Sequence, residues 1–168
     1  ALRKAWGLEG DTRLMLLLPG RLTSWKGQGL ALEALGLLAP EERAGLMLIL
    51  AGDAQGRDSY VSDLEHQITR LGLTGQARIV PHVTDMPAAY LAAGLVLAPS
   101  TRPEAFGRVA AEASAMARPV IVADHGGARE TVIEYETGTR AEPGSAPALA
   151  GAIRAMLSVG PASRASMG

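Results

Sequence analysis

The chain has 168 residues, 48% of them apolar, with 16 Lys and Arg against 17 Asp and Glu and a formal net charge of −1. That length makes one domain with room for a sizeable core, and the near-neutral balance argues against nucleic acid as a main partner, because phosphate-backbone binding needs a basic surface. There is no cysteine, which excludes disulfides and thiolate metal sites and fits a reducing compartment.

Short apolar runs alternate with segments of helical period. Leu2 to Trp6 reads as a short opening helix. Arg13 to Pro19 reads as a buried strand, followed by a helix over Gln28 to Leu38 with Leu30, Ala31, Ala34, Leu35 and Leu38 on one face. Pro40 is expected to end that unit. Leu46 to Ala51 is the next strand, and Asp58 to Leu71 a helix striped by Val61, Leu64, Ile68 and Leu71. Strands at Ala77 to Val80, Leu95 to Ala98, Pro119 to Ala123 and Thr139 to Ala141 alternate with helices at Met86 to Ala93, Gly107 to Ala117, Ala128 to Ile133 and Ala146 to Leu157. Thr84 or Asp85 would cap the helix at Met86.

This alternation predicts an α/β fold: a Rossmann-like, doubly wound parallel sheet of about six strands with helices on both faces. The apolar runs are far too short to cross a bilayer, and no secretory signal is visible. The chain opens at Ala1 rather than Met and stops in polar sequence. It reads as a single domain cut from a longer protein.

In such sheets ligands bind beyond the carboxyl ends of the strands, at the switch in strand order. The informative loops are therefore those that follow strands. The first, Pro19-Gly-Arg-Leu-Thr-Ser-Trp-Lys-Gly27, holds two cations, Arg21 and Lys26, between glycines that let a ligand approach the backbone. A guanidinium grips phosphate oxygens through two parallel bonds, and an ammonium adds a point charge. It is neither a Walker A loop nor a dinucleotide fingerprint. Two solvated surface cations is the plain alternative.

The loop Ser100-Thr-Arg-Pro-Glu-Ala-Phe-Gly107 opens a helix. It places Glu104 at the helix entrance, with Glu112 eight positions on, about two turns in. The small and apolar neighbours of Glu112 imply a largely covered helix, where a carboxylate needs partners; an exposed stripe position is the alternative. One carboxylate for a sugar and one for a ribose, with a diphosphate between them, is the arrangement this spacing fits. The loop Asp124-His-Gly-Gly-Ala-Arg-Glu130 offers backbone N–H groups to the same pocket, or is an ordinary turn. His66, His82 and His125 lack metal-ligand spacing, so no metal site is expected. Gly-x-Ser-x-Gly is absent, so no nucleophile elbow is expected either.

Taken in order, Gly20-Arg21…Lys26-Gly27, Leu50-Ala-Gly-Asp53, Glu104-x7-Glu112 with Phe106-Gly107, Arg118-Pro-Val-Ile-Val, Gly126-Gly127…Glu130 and Thr137-Gly138 resemble the C-terminal, donor-binding half of retaining GT-B glycosyltransferases, family 4 (glycosyl transferases group 1). The resemblance covers nearly the whole chain. It implies that Arg21 and Lys26 hold the diphosphate of a nucleotide sugar. Glu104 would bind hydroxyls of the donor sugar, helped by the N–H groups of Ala105, Phe106 and Gly107, and Glu112 the ribose. Val80 and His82 would face the base, and Gly20 and Gly52 would border the cleft. It also implies a metal-independent transfer with no cofactor, a donor of UDP, GDP or ADP type, and an N-terminal acceptor domain as partner, without which the isolated domain is inactive. A cytoplasmic location follows, with any membrane association carried by that other domain. The sequence departs from the family at Ala117-Arg118, where a small pair ending in glycine is usual, and at His82, where glycine is common. The alternatives are a GT-B relative such as a sugar-nucleotide epimerase, and a non-catalytic nucleotide-binding module.

Overall fold

The structure is a computed structural model that describes residues 2–167. Six strands carry the fold: β1 (Leu14–Pro19), β2 (Leu46–Ala51), β3 (Ala77–Val80), β4 (Leu95–Ala98), β5 (Val120–Ala123) and β6 (Gly138–Ala141). They form one sheet in the order β3-β2-β1-β4-β5-β6, with every pair parallel. The order reverses between β1 and β4, where Leu16 pairs with Leu95 and Leu17 with Val96. Loops leaving these two neighbours diverge, and a crevice opens between them.

Alternation along the strands sorts the core into two layers. Leu16 and Leu18 of β1, with Leu46, Leu48 and Leu50 of β2, face one side. There they meet α2 (Gln28–Gly36), α4 (Asp58–Arg70) and α8 (Ala146–Ser158). Met15 and Leu17, with Met47, Ile49 and Ala51, face the other side. They pack against Trp6, just beyond α1 (Leu2–Ala5), and against α5 (Met86–Ala92), α6 (Arg108–Ala115) and Ala128 of α7 (Ala128–Thr131). β1 and β2 are buried over nearly their whole length, as strands covered on both faces must be.

Two helices were not anticipated. Pro40 does not end a unit but opens α3 (Pro40–Ala44), because proline fits the first helical position, where its missing N–H has no partner anyway. Glu42 reaches back to the N–H of Ala39 (2.7 Å) and closes that first turn. Pro161 opens α9 (Pro161–Ala165) in the same way. The expected helices over Gln28 to Leu38, Gly107 to Ala117 and Ala128 to Ile133 are each shorter, at one or both ends, by one or two residues. Of the two expected caps for α5, Asp85 does the work, its carboxylate accepting from the N–H of Ala88 at 3.1 Å. Among the described residues no helix is long and apolar enough to cross a membrane.

Candidate functional site

A cleft of about 550 Å³ opens at the carboxyl end of the sheet, across the β1–β4 switch. Its walls come from the β1 loop (Gly20, Arg21, Trp25, Lys26), the β2 loop (Gly52, Asp53), the β3 loop (His82, Val83), α5 (Met86, Tyr90) and the β4 loop with α6 (Glu104, Arg108, Val109, Glu112). Both cations of the β1 loop, Glu104 of the β4 loop and Glu112 of α6 thus line one space.

The β1 loop is held in shape from below. A single 3-10 turn at Ser24–Lys26 carries Lys26 inward. Gln28, fully buried at the start of α2, donates its side-chain N–H to the carbonyl of Arg21 (2.9 Å) and accepts from the hydroxyl of Tyr60 (3.2 Å). The backbone of Arg21 is thereby fixed while its guanidinium stands exposed at the cleft mouth. Gly52 lies so close to this loop that a Cβ there would stand 1.9 Å from the carbonyl oxygen of Gly20. Only glycine lets the first two loops approach this closely.

Lys26 and Glu104 are in direct contact. The ammonium donates to Oε1 at 2.9 Å and lies 2.9 Å from Oε2, with the two side chains 14% and 24% exposed. The ammonium also lies 4.6 Å from the centre of the Trp25 ring, a cation–π distance. Glu104 accepts a second bond from the hydroxyl of buried Ser100, whose carbonyl meets His125 Nε2 at 2.8 Å. Burial pushes the Glu104 carboxyl upward. The bonds from Ser100 and Lys26, with the charges of Lys26 and His125, outweigh that effect and hold it below the usual carboxylate range. The cation and the carboxylate therefore do not face one another across an open gap. A diphosphate entering here would share Lys26 with Glu104.

Glu112 is 39% exposed on its side chain, on the cleft face of α6. Oε2 accepts a 2.7 Å bond from the phenol of buried Tyr90, and Oε1 accepts a 3.2 Å bond from Arg108 one turn earlier. The partners that a half-covered carboxylate needs are present. Tyr90 was not singled out in the sequence. The available signal was a tyrosine on the inward face of a short helix, whose buried hydroxyl must find an acceptor.

The remaining residues fall on the margins. His82 is exposed and lines the cleft beside Val83. Val80 is buried, its carbonyl accepting from the N–H of Gly52 at 3.1 Å, and it borders an adjoining hollow. Gly107 caps α6 and lines a small space of about 10 Å³ behind Glu104. Ala105 is exposed and Phe106 is 61% exposed; neither side chain lines the cleft. The paired glycines of the β5 loop lie outside its lining too. The N–H of Gly127 donates to the carbonyl of Glu104 (2.7 Å), and a Cβ on Gly127 would stand 2.4 Å from the carbonyl oxygen of Ala105. Their part is to seat the Glu104 loop. No group of three or more His, Cys, Asp or Glu that could hold a metal occurs among the described residues.

The chain is 37% identical over 140 residues to a D-inositol 3-phosphate glycosyltransferase of Xylanimonas cellulosilytica, a match covering 82% of this chain and 32% of that protein. It thus spans about a third of the length of that relative. The crystal structure of Anabaena HepE in complex with UDP-glucose superposes with a TM-score of 0.87 at 35% identity, over 98% of this chain and 44% of that one. The C-terminal domain of a group 1 family glycosyl transferase from Francisella tularensis, LpcC, has the same fold: TM-score 0.82 at 24% identity, over 98% of this chain and 86% of that one. Residues 2–168 match the family model of the glycosyl transferases group 1, and the chain belongs to that family.

Proposed function

We propose that this chain is the donor-binding half of a retaining glycosyltransferase of family 4 that moves a hexosyl group from a nucleotide-diphosphate sugar to an acceptor. The observation that carries the reading is the convergence of Arg21, Lys26, Glu104 and Glu112 on one cleft at the β1–β4 switch. In this reading the diphosphate lies along the β1 loop against Arg21 and Lys26. Glu104 takes hydroxyls of the transferred sugar, and Glu112 takes the ribose. Gly20 and Gly52 border the nucleotide, and the base lies towards Val80 and His82. The N–H groups of Ala105, Phe106 and Gly107, at the positive end of α6, add to the field on the sugar and phosphate.

As the glycosidic bond to the diphosphate stretches, positive charge grows on the sugar ring and negative charge on the leaving phosphate. Arg21, Lys26 and the α6 terminus stabilise that negative charge. No metal ion or cofactor is called upon in this scheme. Departure of the leaving group on the face where the acceptor attacks retains the anomeric configuration without a protein nucleophile. The acceptor site and the other wall of the cleft belong to an N-terminal domain, so the isolated chain is expected to bind nucleotide weakly, at about millimolar, and not to turn over. HepE was solved with UDP-glucose, which makes UDP the first nucleotide to test.

Calorimetric titration of the chain with UDP, GDP and ADP tests the binding half of this reading, and kinetics of the full-length protein test the chemistry. Arg21→Ala and Lys26→Ala should each lower kcat roughly 100-fold or more, as loss of a preorganised charge-stabilising donor does. Near-normal turnover in either variant removes that residue from the mechanism.

A further inference from the structure

Glu112 does not hold its own position. A glutamate at this exposure has three free side-chain torsions, and a carboxylate that must meet ribose hydroxyls is useful only if it stays put. Two very different neighbours share it. Arg108 is one helical turn earlier on the same helix, with a side chain 82% exposed, and it touches Oε1 at 3.2 Å. Such a pair on a helix surface is weak and easily exchanged. Tyr90 comes from a different helix, is 2% exposed, and meets Oε2 at 2.7 Å. Its ring belongs to the core layer of Met15, Leu17, Val96 and Ala113, so the phenol oxygen is fixed by packing.

We infer that Tyr90 is a positioning residue for nucleotide recognition: its buried hydroxyl pins one oxygen of Glu112, so that the other is presented to the ribose once Arg108 swings aside. This rests on the donor-site reading given above. The division of labour follows from charge and access. The carboxylate is an acceptor only, and a ribose hydroxyl is a donor. One oxygen is occupied from the core, and the other is held by an exposed guanidinium that a ligand can replace. The phenol stays a donor throughout the working pH range, since burial first, and the bond to Glu112 second, push its proton loss upward.

The test compares a nucleoside diphosphate with its 2′,3′-dideoxy counterpart on the full-length protein by calorimetry, using whichever of UDP, GDP and ADP binds best. The wild type should prefer the ribose form. Tyr90→Phe keeps the ring and its packing, so the dideoxy compound should bind as before while the preference falls about tenfold, the effect of losing one hydrogen bond to a charged group. A purely structural tyrosine would weaken both ligands alike. Equal weakening of the two, or an unchanged preference, overturns the inference and leaves the donor site standing. A wild type that binds none of the diphosphates overturns the donor site and this inference together. Arg108→Ala, on an exposed side chain, gives a second reading should Tyr90→Phe fold poorly. It should keep the ribose preference or raise it; loss of the preference there would assign the orienting role to Arg108 instead.

Discussion

Removing the ammonium of Lys26 should cost stability as well as binding, by an amount set by the contact with Glu104. The pair is held at 2.9 Å with side chains only 14% and 24% exposed, so it lies between an exposed ion pair, worth about 0.2–1 kcal/mol, and a charge-assisted bond in a covered site, worth about 1.5–3 kcal/mol. Lys26→Ala also strands a half-buried carboxylate with Ser100 as its remaining hydrogen-bond donor. A loss of about 2 kcal/mol follows, which for a domain of this size lowers Tm by roughly 4–8 °C. The pH dependence carries the sign. The Glu104 carboxyl is held below its usual 4.5 in the folded chain, so its contribution is present above that value and disappears as pH falls through the depressed folded-state value. Thermal melts of wild type and Lys26→Ala should therefore differ most near neutrality and converge in acid below 4.5. Identical Tm values at neutral pH, or a gap that persists undiminished in acid, would refute the claim that this ion pair is a stabilising contact.

Three further variants probe the frame around the cleft. Ala117 has a left-handed backbone, φ 51, and Ala117→Gly should raise stability by about 0.5–1 kcal/mol in urea denaturation, relief of the side-chain clash exceeding the greater freedom of glycine in the unfolded chain. Gly52→Ala drives a Cβ into the carbonyl of Gly20, and should cost about 3 kcal/mol, at the upper end of overpacking effects, and abolish nucleotide binding in the same preparation. Gln28→Ala leaves the hydroxyl of Tyr60 and the carbonyl of Arg21 without their shared partner. It should cost about 1–3 kcal/mol in a chemical melt and loosen diphosphate binding measured by calorimetry.

Much of the frame was legible because parallel strands buried on both faces must be apolar throughout. Leu14–Pro19 and Leu46–Ala51 are, and their register carries the rest of the sheet. The elements the sequence hides are those opened by proline. Ala39-Pro-Glu-Glu42 looks like a stop to an eye that treats proline as a breaker, yet proline followed by acids is also how a helix begins. The short helix at Pro161 lies in the polar end of the chain, where no apolar stripe marks an element. Of the site, the residue types in the loops were readable from composition and order, but their contacts were not. Nothing local in either loop says that Lys26 touches Glu104, because the contact is made by the pairing of β1 with β4. Tyr90 and Gln28 are polar residues on helices with an apolar face, a pattern that marks a buried polar end but not the partner it meets. Their polar ends matter only once the partner elements, α6 and the β1 loop, are in place.

The ion pair joins positions 78 residues apart, and it cannot exist before β4 docks beside β1. A ribosome that has released only the first three strands exposes the β1 and β2 side of the cleft without Glu104 or Glu112. If the cleft takes a diphosphate as proposed, a chain at that stage would offer it Arg21 and Lys26 but none of the β4–α6 wall. Such a ligand would then stabilise by mass action chiefly molecules whose central strands have met, which would make ligand-induced protection from proteolysis a readout of completed topology rather than of local loop order.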